Sequence, residues 1–123
     1  MTDRPIKLPN ADHPITIAPA AGRVVVSIGE VVIADSAAAL TLCEARYPPV
    51  HYIPRRDVDM ARLDPSAHRT YCPYKGDASY FSVPLLGDNA ADAVWSYEAP
   101  HDAVKPIKGY LAFYADRFSI EVG

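Results

Sequence analysis

Twelve prolines are spread along a chain of 123 residues, about twice the usual share. Each fixes its own φ and lacks a backbone N–H, so helices and central strands are interrupted where one falls. They are not gathered into one tail, so this is not a disordered proline tract. Such spacing suits a small β fold with many turns and covered edges.

The local patterns agree. Residues 1–14 are polar and carry Pro5, Pro9 and Pro14; they are expected to wrap the surface as an arm, with 15–18 adding a short edge strand. Arg23-Val-Val-Val-Ser-Ile28 is β-branched and reads as a strand. Gly29-Glu30 suits a type II′ turn, and Val31-Val-Ile-Ala34 returns. The stretch 35–46 has two readings, a helix capped by Ser36 or a strand over 39–44, and the strand is preferred. Val50-His-Tyr-Ile53 is a strand ended by Pro54, with Val50 and Tyr52 on one face. Asp57 is placed to cap a helical turn over 58–63. Further strands are expected over 69–72, 78–83 and 92–97, the last with Trp95 and Tyr97 on one face. A closing hairpin is expected between 109–114 and 118–122. About eight or nine short strands with little helix make this mainly β: a small antiparallel barrel or sandwich with one or two short helical turns.

The length is that of one domain, and half of the residues are apolar, enough for a modest core without cross-links. With a net charge of −3 and no basic stripe, nucleic-acid binding is not expected. No apolar stretch approaches the roughly 18 residues of a membrane span, and the start lacks a signal-peptide pattern. Cys43 and Cys72 are too few for a secreted disulfide framework, so reduced thiols in the cytoplasm are expected.

The stretch Thr70-Tyr-Cys-Pro-Tyr-Lys-Gly-Asp-Ala-Ser-Tyr80 is a chemically rich turn feeding a strand. Three further blocks keep fixed order around it: Val50-His-Tyr-Ile-Pro-Arg-Arg-Asp-Val58, Trp95-Ser-Tyr-Glu-Ala-Pro100 and Ile107-Lys-Gly-Tyr-Leu-Ala-Phe-Tyr114. With these blocks the chain resembles a bacterial and fungal family, the domain-of-unknown-function family number 427, from Arg23 to Val122. The resemblance implies a fold similar to the β-tent, or Mss4-like, barrels. Many of those hold a structural zinc on two Cys-x-x-Cys knuckles. This sequence has no such knuckle, and two thiols cannot make a four-cysteine site, so neither metal nor cofactor is expected. The family also carries a nucleotidyltransferase-type label. No phosphate-cradling glycine loop or pair of aspartates supports that chemistry here.

Cys72 with Lys75 three residues on has two readings. A nearby ammonium favours the nucleophilic thiolate, while a buried cysteine commonly packs as a small apolar residue. Cys43 is read as core. Lys75 is either a solvated turn lysine before Gly76 or a cation facing an anion or carbonyl. Arg55 can grip a carboxylate or phosphate or form a surface ion pair, and Asp57 is either a ligand contact or the cap. Tyr52, Tyr80, Trp95, Tyr97, Tyr110 and Tyr114 are core aromatics or, with their polar tips gathered, pocket walls. His51 and His68 lack metal-ligand spacing; Glu44 and Glu98 are candidate acids or bases. Three functions follow in order. The first is a small-molecule-binding domain with ligand contacts at Tyr52, Arg55, Asp57, Lys75, Tyr80, Trp95, Tyr97 and Tyr110. The second is an enzyme using Cys72 and Lys75. The third is an interaction domain, such as a homodimer through an edge strand.

Overall fold

The computed structural model describes residues 4–123. Among these, ten strands form three antiparallel sheets joined by short 3-10 turns. One sheet contains β1 (Ile15–Pro19), β4 (Leu40–Glu44) and β5 (Val50–Tyr52) in the order β1-β4-β5. A second contains β2 (Val24–Ile28), β3 (Val31–Ser36) and β10 (Ser119–Val122) in the order β10-β2-β3. The third runs β6-β7-β8-β9 and contains β6 (Asp64–Cys72), β7 (Gly76–Ser82), β8 (Val94–Ser96) and β9 (Leu111–Phe113). The protein is thus mainly β with short helical turns, as its sequence suggests. The sheets do not close into a barrel.

The four-stranded sheet is covered on both faces, and strand alternation divides its side chains between two cores. Register places Tyr80 beside Trp95 and Trp95 beside Ala112, while the next positions align Phe81, Val94 and Phe113. Phe81, Val94, Leu111 and Phe113 pack with Val24, Val26 and Ile33 of the second sheet. Tyr80, Ala112, Ala78 and Trp95 pack with Leu42 and Tyr52 of the first. Val104 and Ile107, from the 3-10 turn Asp102–Ile107, close this second core. A bridge between Ile53 and Leu111 ties the first sheet to the third through two hydrogen bonds of 2.8 Å.

The hairpin of β2 and β3 turns at Gly29, whose φ is +57°. Glu30 does not share a positive φ, the signature of the type II′ turn rather than its I′ relative. The alanine-rich stretch becomes β4, because Leu42 there is buried and pairs with Ile17 and Val50. Three expectations are corrected. Cys43 is exposed, pointing away from the core that Leu42 enters. The two closing strands are not a hairpin: β9 pairs with β8, and β10 crosses to β2. Hydrogen bonds from Arg117 and Phe118 to the Tyr114 carbonyl, with Phe118 packed edge-on at 5.1 Å from Phe113, turn the chain toward the other sheet. Asp57 is not a helix cap; it ends the 3-10 turn Arg55–Asp57 and accepts a 2.7 Å hydrogen bond from the Ser36 hydroxyl.

Arg4 pairs with Asp77 and lies over the Tyr71 ring, and the Lys7 N–H donates to the Pro73 carbonyl at 3.0 Å. Residues 4–14 therefore run along the turn between β6 and β7.

Ser96 stands at the centre of the third sheet, fully buried, and its hydroxyl meets no partner among the described residues. An unpaired buried hydroxyl costs on the order of 1–3 kcal/mol. Ser96→Ala should therefore unfold at higher denaturant concentration than the wild type, by about 1 kcal/mol, with an unchanged denaturant slope. A lower midpoint would show that the hydroxyl has a partner.

Candidate functional site

The alternation that builds the second core leaves it open at one end. β5 contributes Tyr52, β7 contributes Tyr80, and β8 contributes Trp95 with Tyr97 just beyond it. With Leu42 of β4 and Lys75 of the turn they enclose an inner chamber of about 190 Å³. This chamber shares Glu44, Tyr47, Pro48, Val50, Trp95 and Tyr114 with an outer cleft of about 660 Å³. The outer walls are largely apolar, with Val50 from the first sheet, Val26 and Ile120 from the second and Phe113 from the third. The combination is an apolar cleft leading to a few polar groups, the ordinary composition of a small-molecule site.

Lys75 and Glu44 meet at the inner end. The Lys75 Nζ donates to Glu44 Oε1, with only 11% and 13% of the two side chains exposed. His13 approaches the other carboxylate oxygen at 2.7 Å and stacks flat on Tyr74, centroids 4.0 Å apart. Burial pushes the Glu44 carboxyl up, but the hydrogen bonds from Lys75 and His13 outweigh it and hold it below its ordinary 4.5. Cys72 is half-buried, its sulfur 3.8 Å from Lys75 Nζ. The turn is rigid for a local reason. Gly76 has φ +110°, and a side chain there would face the Ala99 carbonyl at 3.5 Å. The Lys75 carbonyl accepts the His101 N–H at 2.9 Å.

The aromatic walls carry polar tips. Trp95 donates its indole N–H to the Tyr52 oxygen at 3.3 Å, the rings lying edge to face. Tyr80 shares a 2.8 Å hydrogen bond with Thr70. Burial pushes the Tyr52 and Tyr97 phenols well up from 10, so both stay protonated. Both side chains line the inner chamber together with Glu44 and Tyr80.

Of the residues singled out from sequence, Tyr52, Lys75, Tyr80, Trp95 and Tyr97 come together around the inner chamber. Cys72 packs at its edge, behind Lys75. Three lie elsewhere. Arg55 pairs with Glu98 at 2.7 Å and spans the Phe81 ring. Asp57 is held by Ser36. Tyr110 is half-buried against the second core and does not line the cleft. Sequence reasoning missed His13 as the partner of Glu44, and Tyr47 and Pro48 as cleft walls; the Tyr-Pro-Pro turn was the only signal for the latter. His51 lines the outer cleft, bonded to Thr41 at 2.9 Å, and burial holds its imidazole below 6.5. Among the described residues no group of three or more His, Cys, Asp or Glu is placed to hold a metal ion. No helix there is long and apolar enough to cross a membrane.

The ion pair supports two predictions. Lys75→Met leaves a largely buried carboxylate without its cation, so it should cost about 3 kcal/mol, and Glu44→Gln on top should return part of that loss. Additive losses in denaturant unfolding would mean that the two side chains are uncoupled. A carboxyl held low when folded adds stability that is fully present above 4.5 and fades as pH falls through its lower folded value. Acid unfolding should therefore be shallower for Glu44→Gln than for the wild type below pH 4.5; parallel curves would contradict this.

Comparison with known proteins gives a consistent placement. A family model described as a domain of unknown function (DUF427) matches residues 16–123. No curated protein matches the chain.

Proposed function

The chain belongs to the DUF427 family, a domain of unknown function, and from that premise we propose that it is a small-molecule-binding protein whose ligand lies in the cleft between the three sheets. One observation carries this reading. The apolar outer cleft of about 660 Å³ shares six wall residues with an aromatic chamber that is lined by the Lys75–Glu44 pair. Its volume is that of a site for a compact organic molecule, and the polar groups at one end would orient what the apolar walls desolvate. The β-tent relationship implied by the family resemblance is part of the same reading, supported by the antiparallel sheets that surround one cleft. The two free thiols, Cys43 and Cys72, suit a reducing compartment such as the cytoplasm.

A second reading has its own observation. Cys72 lies 3.8 Å from the Lys75 ammonium, which sets a sulfur nucleophile and a cation side by side at the chamber. On this reading the protein is an enzyme and the cleft its substrate site. Rapid alkylation of native Cys72 near neutral pH, with Cys43→Ser removing the exposed competitor, would favour it; a thiol unreactive until unfolding would remove it.

The binding reading is tested by titrating a broad fragment and metabolite set against the full chain while following the Trp95 indole resonance. Saturable shifts are expected for some compounds. They should vanish in Val50→Trp, which fills the junction of the two compartments, with backbone dispersion retained. Binding that leaves Trp95 unmoved, or that survives Val50→Trp, would place the ligand elsewhere.

A further inference from the structure

The walls of the cleft are not all held alike. Most of their residues sit on paired strands, but Tyr47 and Pro48 border both compartments from the connection between β4 and β5. Residues 45–49 of that connection, Ala-Arg-Tyr-Pro-Pro, are all exposed, and Tyr47 keeps 66% of its surface in water. A large aromatic ring beside a cavity is ordinarily packed. This one flanks the outer cleft and the inner chamber and belongs to neither hydrophobic core.

The connection is anchored at both ends and free between them. At the first end Lys75 and His13 hold Glu44, and the Ala45 N–H donates to the Pro14 carbonyl at 2.8 Å. At the other, Val50 is registered on Leu42. In between, the Tyr47 N–H closes a local turn on the Glu44 carbonyl at 2.9 Å. Among the described residues no backbone hydrogen bond ties 46–49 to the body of the protein, and Pro48 and Pro49 have no N–H to give. Ala45 starts the turn at φ +46°. That conformation is costly for a residue with a Cβ, so the turn does not lie deep in a single backbone well. The two prolines fix their own φ, so the limb behind the ring swings as a unit.

An empty cleft gives the ring little to bury against, since the space it would cover is solvent. An occupant with apolar surface changes the balance, because closing the ring on it removes apolar area of both from water. The occupant thus has different contacts in the open and closed positions, which is what a ligand needs to shift a conformational equilibrium. Resting on the binding reading above, we infer that residues 45–49 are a lid and Tyr47 its closing ring, which folds onto an apolar occupant of the cleft and sets how fast it leaves.

The test uses N-phenyl-1-naphthylamine, an uncharged probe that fluoresces in apolar surroundings, titrated into the full chain. Saturable binding that is lost in Val50→Trp locates it in the cleft. The lid is then read by brief trypsin digestion at the exposed Arg46–Tyr47 bond, with cleavage elsewhere in the chain as reference. Saturating probe should slow that cut about tenfold, as an open segment becomes ordered. Tyr47→Ala, at an exposed position and with backbone dispersion unchanged, should still bind the probe but release it about tenfold faster. At saturation its cut after Arg46 should run as fast as in the free protein. A wild-type cut unaffected by saturating probe overturns the lid and leaves Tyr47 a fixed wall. Equal protection in Tyr47→Ala overturns it too, since the occupant itself would then cover the segment. A cleft that takes no apolar probe lacks the driving force for closure and overturns the lid alone if the broad set still yields cleft ligands. If that set is also empty, the binding reading falls with it.

Discussion

A single buried ion pair holds the site together. Lys75 belongs to the turn between β6 and β7, and Glu44 is the last residue of β4, so their contact ties two sheets across the cleft. Taking both charges out of water is costly, and the return depends on good geometry and further hydrogen bonds. Those are supplied from three directions: His13 on the free carboxylate oxygen, Cys72 beside the ammonium, and Gly76 with His101 fixing the backbone beneath. The arrangement gives position rather than raw stability. It keeps an ammonium pointed into an aromatic chamber, where a solvated lysine would explore many rotamers.

The pair works because the third sheet is buried on both sides. Its strands sort alternate residues into two cores, one aliphatic with phenylalanine, one rich in tyrosine. The second accepts polar tips because each hydroxyl can reach an edge of the chamber, as Tyr52 reaches Trp95 and Tyr80 reaches Thr70. On the first core's side, Ser36 reaches Asp57 at its edge, whereas Ser96, in register with Leu111, is buried without a partner.

Local chemistry was legible in the sequence, and long-range pairing was not. The β2–β3 hairpin could be read because a β-branched run, a glycine at the turn and a second run lie side by side. The aromatics Tyr52 of β5, Tyr80 of β7 and Trp95 of β8 could be read as a group because period-two alternation puts them on one face wherever the strands pair. The family was legible in four motif blocks. Glu44 and His13 were hidden for the opposite reason. They are 31 residues apart, and Glu44 is as far again from Lys75, so their meeting depends on sheet order. The same ignorance made β9 and β10 look like a hairpin, since a short connection usually joins paired strands. Arg55 and Asp57 follow a strand that does enter the site, but the 3-10 turn after Pro54 carries them to the far side.

The crossing of β10 has a consequence for how the cleft is kept. Ile120 and Val122 form part of its outer wall, yet their strand is four residues long, mostly exposed, and registered only on β2. So small an element opens at a fraction of the global unfolding free energy, and whenever it lifts the outer cleft loses that part of its wall. The apparent affinity of any occupant is then scaled by the fraction of molecules with β10 seated. An occupant in turn acts as a brace between that strand and the body of the protein. Amide hydrogen exchange along Val24–Ile28 would register that bracing directly, slowing as the cleft fills.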